Sequence, residues 1–480
     1  MSDKAEKKPG FLPDYLATAK PNPKENRAPW FKNTMPTYAG VFLWFVFWMG
    51  ATGAPNAGGV LSHGIMAPIV SLAMAALLCH LFYYVVLGLL GQKTGYPLYI
   101  VGTSTFGAKG GFLMPGFLMG VLQFGWLGVN IFFSSMALSS VIPVSPKIIM
   151  VVWGVLAAFM GLKGIQYVAR VATYLPLIPL TALIVMFVMT FSGLKTFDAG
   201  EFVQFHQTTM PSTPSALSSF GLFAFVLTYV IGFFATAGAA GTDMGTNSRD
   251  SRDVHLGGLV GVAVAIIVTA GLAMLIVAGS YGNQEITAKA VEAASAAQAE
   301  AVAGGDAEAA VALPMSAFDL IPVVLGSTAG KWIQFLLALA AFPAACFSSL
   351  IAANSFKTTL SKVNPFISVG IGTAVSIALA ISGKAGELIP VFNVIGASFG
   401  PVCGAMAVDY MLNGRKWAGP RAGFNPAGWL AWGFGFVVGI MPNMGMPLPL
   451  APLWAMLVGA AIYYICAKMG LEAEKLDMPE

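Results

Sequence analysis

WMGATGAPNAGG, residues Trp48–Gly59, interrupts an apolar run that extends from about residue 36 to about residue 64 and is long enough to cross a bilayer. The stretch contains four glycines and one proline, and both residue types weaken a helix interior. A break in a membrane helix leaves backbone N–H and C=O groups unpaired, which hydrocarbon does not tolerate but a bound polar ligand or ion can satisfy. We therefore expect a discontinuous first helix with a binding site at its break.

The overall composition is that of a polytopic membrane protein. Hydrophobic residues make up 57% of the 480 residues and charged residues 10%, whereas about a quarter of the residues in a soluble domain are charged. Four scattered cysteines with no paired spacing indicate neither a disulfide framework nor a metal site. The first 35 residues carry seven Lys and Arg residues and no short apolar segment, so we interpret them as a cytoplasmic tail and not as a cleaved signal peptide.

Apolar runs of about 20 residues, separated by polar or Gly/Pro-rich segments, predict twelve membrane helices. In chain order, helices 1 to 12 are predicted at residues 36–63, 66–90, 113–142, 147–162, 166–192, 216–244, 257–281, 331–354, 366–382, 388–412, 427–443 and 449–468. The corresponding organisation is an N-terminal tail (1–35), a first repeat (36–193), a second repeat (215–412), helices 11 and 12 (427–468) and a C-terminal tail (469–480). An Ala/Glu-rich insertion, residues 284–311, is expected to form an external helical or flexible loop with no chemistry of its own.

The distribution of basic residues predicts the orientation. With the N-terminus inside, the Lys and Arg residues that fall outside are Lys147, Lys195, Lys289, Lys331 and Lys384, and the rest of the 25 fall on the cytoplasmic side. Such an excess in cytoplasmic segments is the usual bias of membrane proteins. We expect a multi-pass protein of the bacterial inner membrane with both termini in the cytoplasm.

A second glycine-rich interruption lies in helix 6. VIGFFATAGAAGTDMG, residues Val230–Gly245, again contains four glycines within an apolar run. Helices 1 and 6 open two consecutive sets of five helices, and they face opposite ways across the membrane because five is odd. Matching breaks in two halves indicate an inverted repeat with a substrate site near the midplane. Glycine also allows close packing of membrane helices, and this alternative would explain either break taken alone.

Helices 3 and 8 carry polar groups suited to ligand recognition. In LQFGWLGVN, residues Leu122–Asn130, Gln123 and Trp126 are three residues apart and share a helix face. In AACFSSLIAANS, residues Ala344–Ser355, two adjacent serines precede an asparagine. The alternatives are that the tryptophan belongs to a packed core and that the serines hydrogen-bond to their own backbone.

These motifs resemble the nucleobase cation symporter 1 family, which contains bacterial cytosine permease and the sodium-coupled hydantoin permease. The matching stretches are GQKTGYP (91–97) with FGAKGG (106–111) between helices 2 and 3, LQFGWLGVN in helix 3, IGFFATAGAAGTDM (231–244) in helix 6 and FNVIGASFGPVCGAMAVDYML (392–412) in helix 10. The similarity covers nearly the whole chain apart from the tails and the 284–311 insertion. It implies an all-α, twelve-helix protein with a five-plus-five inverted repeat of the LeuT type and discontinuous helices 1 and 6.

The resemblance also implies a substrate site. A flat heterocycle would lie between Trp126 and an aromatic residue of helix 6, for which Phe234 is the best match and Phe233 its neighbour. The amides of Gln123 and Asn354 would hydrogen-bond the edge of the ring. The remaining predicted substrate residues are Gly53, Asn56 and Thr236.

A sodium site follows from the same resemblance, with helix 1 carbonyls on one side and helix 8 hydroxyls on the other. The predicted ligands are Met49, Gly50, Thr52 and Gly53 of helix 1 and Ala345, Ser348 and Ser349 of helix 8. No organic cofactor is expected. Leu350 and Ile351 stand where relatives often carry polar residues, which leaves the identity of the ring open.

The expected function is import of a small nucleobase-like heterocycle, such as cytosine, another pyrimidine or purine, or a hydantoin, coupled to Na⁺. Helices 1, 2, 6 and 7 would move against helices 3, 4, 8 and 9 in an alternating-access cycle. We expect a monomer in the lipid bilayer, with no nucleic acid partner and no enzymatic activity, because no nucleophile, base or metal cluster has workable spacing. A channel would need a continuous polar lining, which the sequence does not show.

Two alternatives stay open within the transporters. The first is proton coupling, because intramembrane ionisable groups are functional candidates by default. His80 is the candidate for it, whereas Asp243 and Asp409 are expected to pair with the nearby basic residues Arg249, Arg252, Arg415 or Lys416. The second alternative is a sodium-coupled amino-acid symporter of the same architecture, which would not need an aromatic sandwich around Trp126.

Overall fold

The computed structural model describes residues 12–163, 166, 168, 172, 174–303, 313–360 and 362–478. Within these ranges the chain is helical, and its β pairing is limited to isolated bridges between Ala28 and Ser248 and between Arg421 and Lys475. Parts of four predicted segments lie outside the described residues: 1–11 of the N-terminal tail, several residues at the start of helix 5, 304–311 of the insertion and 479–480 of the C-terminal tail.

Nine helices in the described part of the chain are long and apolar enough to cross a membrane. They correspond to predicted helices 2 to 8, 10 and 12, and they span Met66–Thr94, Phe112–Ser139, Pro146–Lys163, Leu177–Lys195, Ser219–Ala239, Ser251–Gly282, Ser327–Lys357, Leu388–Leu412 and Ala451–Lys468. At 1.5 Å per residue, 18 residues already extend about 27 Å, close to the thickness of the hydrocarbon layer. The prediction of an all-α membrane protein is confirmed.

The other three predicted helices are also present, and each is shorter than the nine long spans. Helix 9 spans Pro365–Ile381 and helix 11 spans Pro426–Ile440. Helix 1 consists of two halves, Thr34–Phe42 and Phe45–Thr52. The discontinuity predicted for helix 1 is therefore present.

The position of that discontinuity differs from the prediction. The two halves of helix 1 are separated at Leu43–Trp44, where Trp44 adopts an extended conformation (φ −71°, ψ 132°). Helix 1 ends at Thr52, and Gly53 is already extended (ψ 105°). The glycine-rich stretch is thus the end of helix 1 and not a break inside it, because Pro55 disfavours a helical residue before it and Gly58 takes a left-handed conformation (φ 72°) that turns the chain.

Helix 6 is interrupted within the predicted stretch, but only slightly. Its halves, Ser219–Ala239 and Gly241–Thr246, meet at Ala240. The Ala240 N–H still donates to the Thr236 carbonyl (2.9 Å). At this interruption the glycines serve packing, since a Cβ on Gly245 would overlap the Gly88 carbonyl oxygen of helix 2. The packing alternative therefore applies to Gly245.

The membrane helices pack in two groups. Helices 3, 4, 8 and 9 contact one another and form what we call the scaffold group. Helices 1, 2, 6 and 7 form the bundle group, in which helix 7 packs on both halves of helix 1 and helix 6 packs on helix 2. Helix 10 joins helix 6 to helices 11 and 12. These are the two groups that alternating access would move against each other.

Segments outside the membrane helices define two faces. A helix at Ala199–Thr209 connects helices 5 and 6, and a helix at Gln284–Ala303 confirms the helical expectation for the described part of the insertion. On the opposite face, Leu16 of the N-terminal segment packs with Leu476 and Met478 of the C-terminal segment. We call the face that carries both terminal segments the tail face.

Candidate functional site

An aromatic cluster surrounds the break in helix 1. The Trp126 ring of helix 3 lies 6.4 Å from Trp44 at the break, 5.1 Å from Phe233 of helix 6 and 5.6 Å from Phe392 of helix 10, measured between ring centroids. The helix 1 break and helices 3, 6 and 10 thus bring four aromatic side chains together. We call these four residues the aromatic cluster.

Polar groups of the cluster are few and uncharged. The Trp126 indole N–H donates to the Thr236 hydroxyl (3.2 Å). The Trp44 indole N–H is buried and has no hydrogen-bond partner among the described residues. Because an unpaired buried donor costs free energy, it is available to a ligand acceptor at the break.

The Gln123 amide lies one helical turn before Trp126, as the sequence predicts. Gln123 is buried, with 8% of its surface exposed, and its Nε2 donates to the Met119 sulfur at 3.6 Å. A thioether is a weak acceptor, so a ring carbonyl could replace it at little cost. The Gln123 amide is therefore suited to the edge of a polar ring.

The neighbouring phenylalanines of helix 6 face different ways. Both lie near Phe42 of helix 1, at 5.8 Å and 5.9 Å, but Phe233 contacts Trp126 edge to face, whereas Phe234 lies 5.8 Å from Tyr38 in helix 1. Successive helical residues point about 100° apart, which accounts for the difference. Phe233, the neighbour in the sequence prediction, is the helix 6 aromatic beside Trp126.

The rings of the cluster touch one another. Trp126 and Phe233 meet at an interplanar angle of 79° with their centroids 5.1 Å apart. A flat ring sandwiched between two others needs them roughly 7–8 Å apart, two contact distances. A sandwiched substrate would therefore require Phe233 or Trp126 to move, and the cluster in this conformation closes the predicted ring position.

Asn354 and Asn56 lie outside the aromatic cluster. Asn354 of helix 8 is exposed, while the residues after it contact helix 3: Ser355 donates to the Gly116 carbonyl and Phe356 stacks on Phe124. Asn56 follows the end of helix 1 and donates to the Ser215 carbonyl (3.1 Å). Asn56 thus lies beyond the end of helix 1, and Asn354 lies on an exposed part of helix 8.

The two halves of the predicted sodium site pack mainly within different helix groups. Ser349 is fully buried against Gly161 of helix 4, and its hydroxyl donates to the Ala345 carbonyl of its own helix (3.3 Å). Helix 8 packs within the scaffold group, whereas the second half of helix 1 packs on helices 6 and 7. The back-bonding alternative is what the structure shows for Ser349, while Ser348 is partly buried.

One of the predicted carbonyl ligands of helix 1 is already used within the helix. The Met49 carbonyl accepts from the Gly53 N–H (3.1 Å) and the Thr52 hydroxyl (3.3 Å). Gly50 faces the Tyr229 ring, which a Cβ would overlap. The Met49 carbonyl is therefore occupied, whereas the helix ends at Thr52 and leaves the carbonyls of residues 50–53 without a backbone partner four residues on.

Unpaired carbonyls also occur at the break. The last intrahelical bond of the first half runs from the Leu43 N–H to the Ala39 carbonyl (3.0 Å). The carbonyls of residues 40–43 therefore have no partner four residues on, because the helix stops. Neutral carbonyl oxygens of this kind suit a hard cation, and the negative end of the first half-helix dipole points at the same place.

The ionisable groups take different partners from those predicted. Asp409 pairs with Arg421 (3.1 Å) and not with Arg415 or Lys416, and it also accepts from the hydroxyls of Ser104 and Thr105. A buried carboxylate needs such donors to offset its desolvation. This correction makes Asp409 part of a structural link between helix 10 and the tail face.

Asp243 and His80 complete the set of candidate proton carriers. The Asp243 carboxylate accepts from the Leu98 N–H (2.8 Å), and Arg249 pairs with Asp253 (2.7 Å) instead. His80 is buried beside Tyr84 with the rings nearly parallel (22°), and its Nδ1 has no partner among the described residues. His80 faces Gly258 of helix 7 and Tyr84 of its own helix, and not the aromatic cluster.

Sequence reasoning missed two members of the cluster. Trp44 was overlooked because no glycine or proline marks the break at Leu43–Trp44. Phe392 stands at the start of the helix 10 motif, and its ring contacts Tyr229 (4.8 Å) as well as Trp126 and Phe233. The available signal for Trp44 was the aromatic density of FLWFVFW, residues 42–48, in a helix expected to line a site.

Comparison with solved structures shows the same arrangement of helices in known transporters. The chain aligns with Mhp1, a nucleobase-cation-symport-1 family transporter in a closed conformation with bromovinylhydantoin bound, with a TM-score of 0.62 and 14% identity over 95% of this chain and 96% of that chain. The fold is that of Mhp1. The inward-facing conformation of Mhp1 gives a TM-score of 0.61 at 16% identity over 95% of this chain and 96% of that chain.

A Na⁺-coupled sialic acid symporter in a substrate-bound outward-open state is also similar, with a TM-score of 0.55 and 11% identity over 97% of this chain and 95% of that chain. A scan against protein-family models found no match, and no curated protein matches the chain in sequence. The structural likeness confirms the predicted fold class, and Mhp1 represents the same family as the sequence motifs.

Proposed function

We propose that the chain is a secondary active transporter of the nucleobase cation symporter 1 family that imports a small, flat, nucleobase-like ring. The observation that carries this proposal is the meeting of Trp44, Trp126, Phe233 and Phe392 at the helix 1 break, next to the Gln123 amide. The Mhp1 fold supports it, since one of the Mhp1 structures holds bromovinylhydantoin.

The chemistry of the cluster favours a neutral heterocycle. Stacking of a ring on Trp126 contributes about 0.5–1.5 kcal/mol beyond area burial. The Gln123 amide presents a donor and an acceptor together, which matches the alternating C=O and N–H groups of pyrimidines, purines and hydantoins. The Trp44 N–H adds one more donor at the break.

An amino-acid substrate is the competing proposal, and one feature of helix 1 favours it. The second half of helix 1 begins at Phe45, so its first N–H groups lie at the positive end of a half-helix beside Trp44. A substrate carboxylate would bind there without stacking on Trp126. Replacement of Trp126 separates the two proposals, because only a stacked ring needs the indole.

For the coupling ion we propose Na⁺ bound by the carbonyls of residues 40–43. Ser348 would join from helix 8 when the scaffold and bundle groups close on each other. A membrane potential supplies about 2.3 kcal/mol per charge per 100 mV, which drives uphill uptake of a neutral ring. Proton coupling through His80 is the alternative, and replacement of Na⁺ by choline distinguishes the two.

The proposed setting is the bacterial inner membrane, with the tail face in the cytoplasm and the monomer as the working unit. The excess of Lys and Arg in segments of the tail face supports this orientation. A cysteine-labelling experiment from either side of the membrane, at the exposed residue Lys362, would test it directly.

The test of the function is a thermal-shift screen of the purified protein. Nucleobases, hydantoins and amino acids are compared in Na⁺ and in choline, because a ligand that binds only the folded state raises its stability by mass action. We expect a ring to raise the Tm in Na⁺ and much less in choline. Stabilisation by amino acids alone would overturn the ring proposal, and equal stabilisation in choline would overturn sodium coupling.

A further inference from the structure

The N-terminal segment, residues 12–33, crosses the tail face and is fixed at two places. We call this segment the strap. Its first anchor is Asn22, whose N–H donates to the Gly95 carbonyl (2.8 Å) after helix 2. The Asn22 side chain donates to the Thr246 carbonyl (3.0 Å) and to the Asn247 side chain (3.1 Å) after helix 6. Asn22 thus joins two connections of the bundle group.

Three more hydrogen bonds fix the strap to the bundle group. The Arg27 guanidinium donates to the Gln92 carbonyl (2.8 Å), and the Ala28 N–H donates to the Asn247 carbonyl (2.8 Å). The Trp30 N–H donates to Asp253 at the start of helix 7 (3.2 Å). This anchor, residues 22–30, therefore moves with helices 2, 6 and 7.

The second anchor is mainly apolar and lies elsewhere, and its one side-chain hydrogen bond to the rest of the described chain runs from the Tyr15 hydroxyl to the Ala108 carbonyl. Leu16 is fully buried in a small cluster with Ile100 and Ala108, separate from the main core. The Tyr15 ring lies 4.9 Å from Phe112, the first residue of helix 3 in the scaffold group. The C-terminal residue Leu476 packs against the same cluster. This anchor therefore belongs to helix 3 and the segment before it.

The chain between the anchors is short and stiff. From Leu16 to Asn22 there are six residue steps, which span at most about 20–22 Å when fully extended. Pro21 and Pro23 flank Asn22 and fix their own φ angles, so this part cannot lengthen or flex freely. Residues 17, 18, 20 and 21 are exposed, while Ala19 packs against the Leu16 cluster. A separation of the two anchors beyond this reach would release one of them.

We propose that the strap is a latch that holds the tail face closed, and that release of the Leu16 anchor is required for the tail face to open. The inference rests on the alternating access of the proposed function. The Leu16 anchor is the one that releases, because it consists of a small apolar cluster and one hydrogen bond from Tyr15, whereas the anchor at residues 22–30 makes six hydrogen bonds to the bundle group.

The latch can be tested by a distance measurement that needs no substrate. Spin labels are placed at Arg252→Cys, at the start of helix 7, and at Lys362→Cys, between helices 8 and 9, since both side chains are exposed. The four native cysteines are buried, so labelling is directed to the introduced sites. Pulsed electron spin resonance then reports the separation of the bundle and scaffold groups at the tail face.

Leu16→Ser is the test variant and Ala17→Ser the matched control, because Ala17 is adjacent and exposed. We expect Leu16→Ser to raise the ratio of long to short distances by about tenfold, since one buried leucine is lost from the closed state only. The distance distribution of Ala17→Ser should match that of the protein with the unmodified strap. A Leu16→Ser distance distribution that superposes on that of the unmodified strap would overturn the latch.

A second variant covers the possibility that a buried serine disturbs folding. Deletion of residues 2–19 removes the same anchor without placing a polar group in the core, and the same shift toward long distances is expected. An unchanged distribution in a folded deletion variant overturns the latch. The distance measurement uses no substrate, so it tests the latch even if no ring stabilises the protein in the thermal-shift screen. Failure of the latch and failure of the proposed function are therefore distinguishable.

Discussion

Helices 1 and 6 are both interrupted, but the two interruptions differ in chemistry. Helix 1 separates at Leu43–Trp44, where no glycine is present and Trp44 meets the helix 3 ring of Trp126, which also contacts rings of helices 6 and 10. Helix 6 bends only at Ala240, and its Gly245 lies against the backbone of helix 2. The difference teaches that glycine in these helices marks close packing, whereas an extended residue among aromatic side chains marks the candidate site.

The largest expected effect concerns the packing side of this comparison. Gly245→Ala would force a Cβ into the Gly88 carbonyl, and two helix backbones cannot yield as a side chain can. We expect destabilisation of about 3 kcal/mol or more, seen as a lower Tm or a loss of monodisperse protein. Gly125→Ala is the control, since no atom lies within 4 Å of the added Cβ. Equal Tm values for the two variants would contradict a packing role for Gly245.

The next effect concerns the aromatic side of the comparison. Trp126→Ala removes the stacking surface of the cluster, and we expect the Kd of the stabilising ring to rise about 30-fold, or about 2 kcal/mol. Titration of the ring in Na⁺ measures it. Trp332→Ala, at an exposed tryptophan of helix 8, should leave the Kd unchanged. An unaltered Kd in Trp126→Ala would favour the amino-acid proposal.

Adjacent phenylalanines of helix 6 sharpen the comparison further. Phe233→Ala should raise the Kd of the ring about tenfold, because Phe233 contacts Trp126. Phe234→Ala should change it by less than about threefold, since Phe234 packs on Phe42 and its contribution is to stability. Titrations at matched folded fractions separate affinity from stability. The reverse order would restore Phe234 as the ring partner.

The smallest expected effect concerns sodium. Ser349→Ala should alter the Na⁺ concentration for half-maximal stabilisation by less than about twofold, because its hydroxyl already donates to Ala345. Ser348→Ala should raise that concentration several-fold if helix 8 reaches the ion. Thermal shift against Na⁺ at a fixed ring concentration measures both. A larger effect at Ser349 than at Ser348 would show that helix 8 uses the other hydroxyl.

Much of the fold was predictable, because long apolar runs and their charge bias depend on composition alone. The break in helix 1 was not predictable in the same way. Leu43 and Trp44 carry no backbone signal, so the extended conformation of Trp44 comes from its tertiary surroundings. The glycines at residues 53–59 gave a stronger local signal, which belongs to the end of the helix.

The sequence predicted which helices contribute to the candidate site, but not which face of each helix does so. Gln123 and Trp126 lie three residues apart in one continuous helix, so their spacing places them on the same face. The choice between Phe233 and Phe234 depends on the rotation of helix 6, and an error of one residue turns a side chain by about 100°. Arg421 was missed as the partner of Asp409 because the chain turns back between them, and nearness in sequence favoured Arg415.

The central claim is that the ring binds at the helix 1 break and not at the glycine-rich end of helix 1. The most direct measurement is an experimental structure of the protein with a stabilising ring and Na⁺. The account predicts the ring stacked on Trp126, with Phe233 moved from its edge-to-face contact to make room. A ring bound at residues 53–59, with Trp126 and Phe233 still in contact, would contradict it.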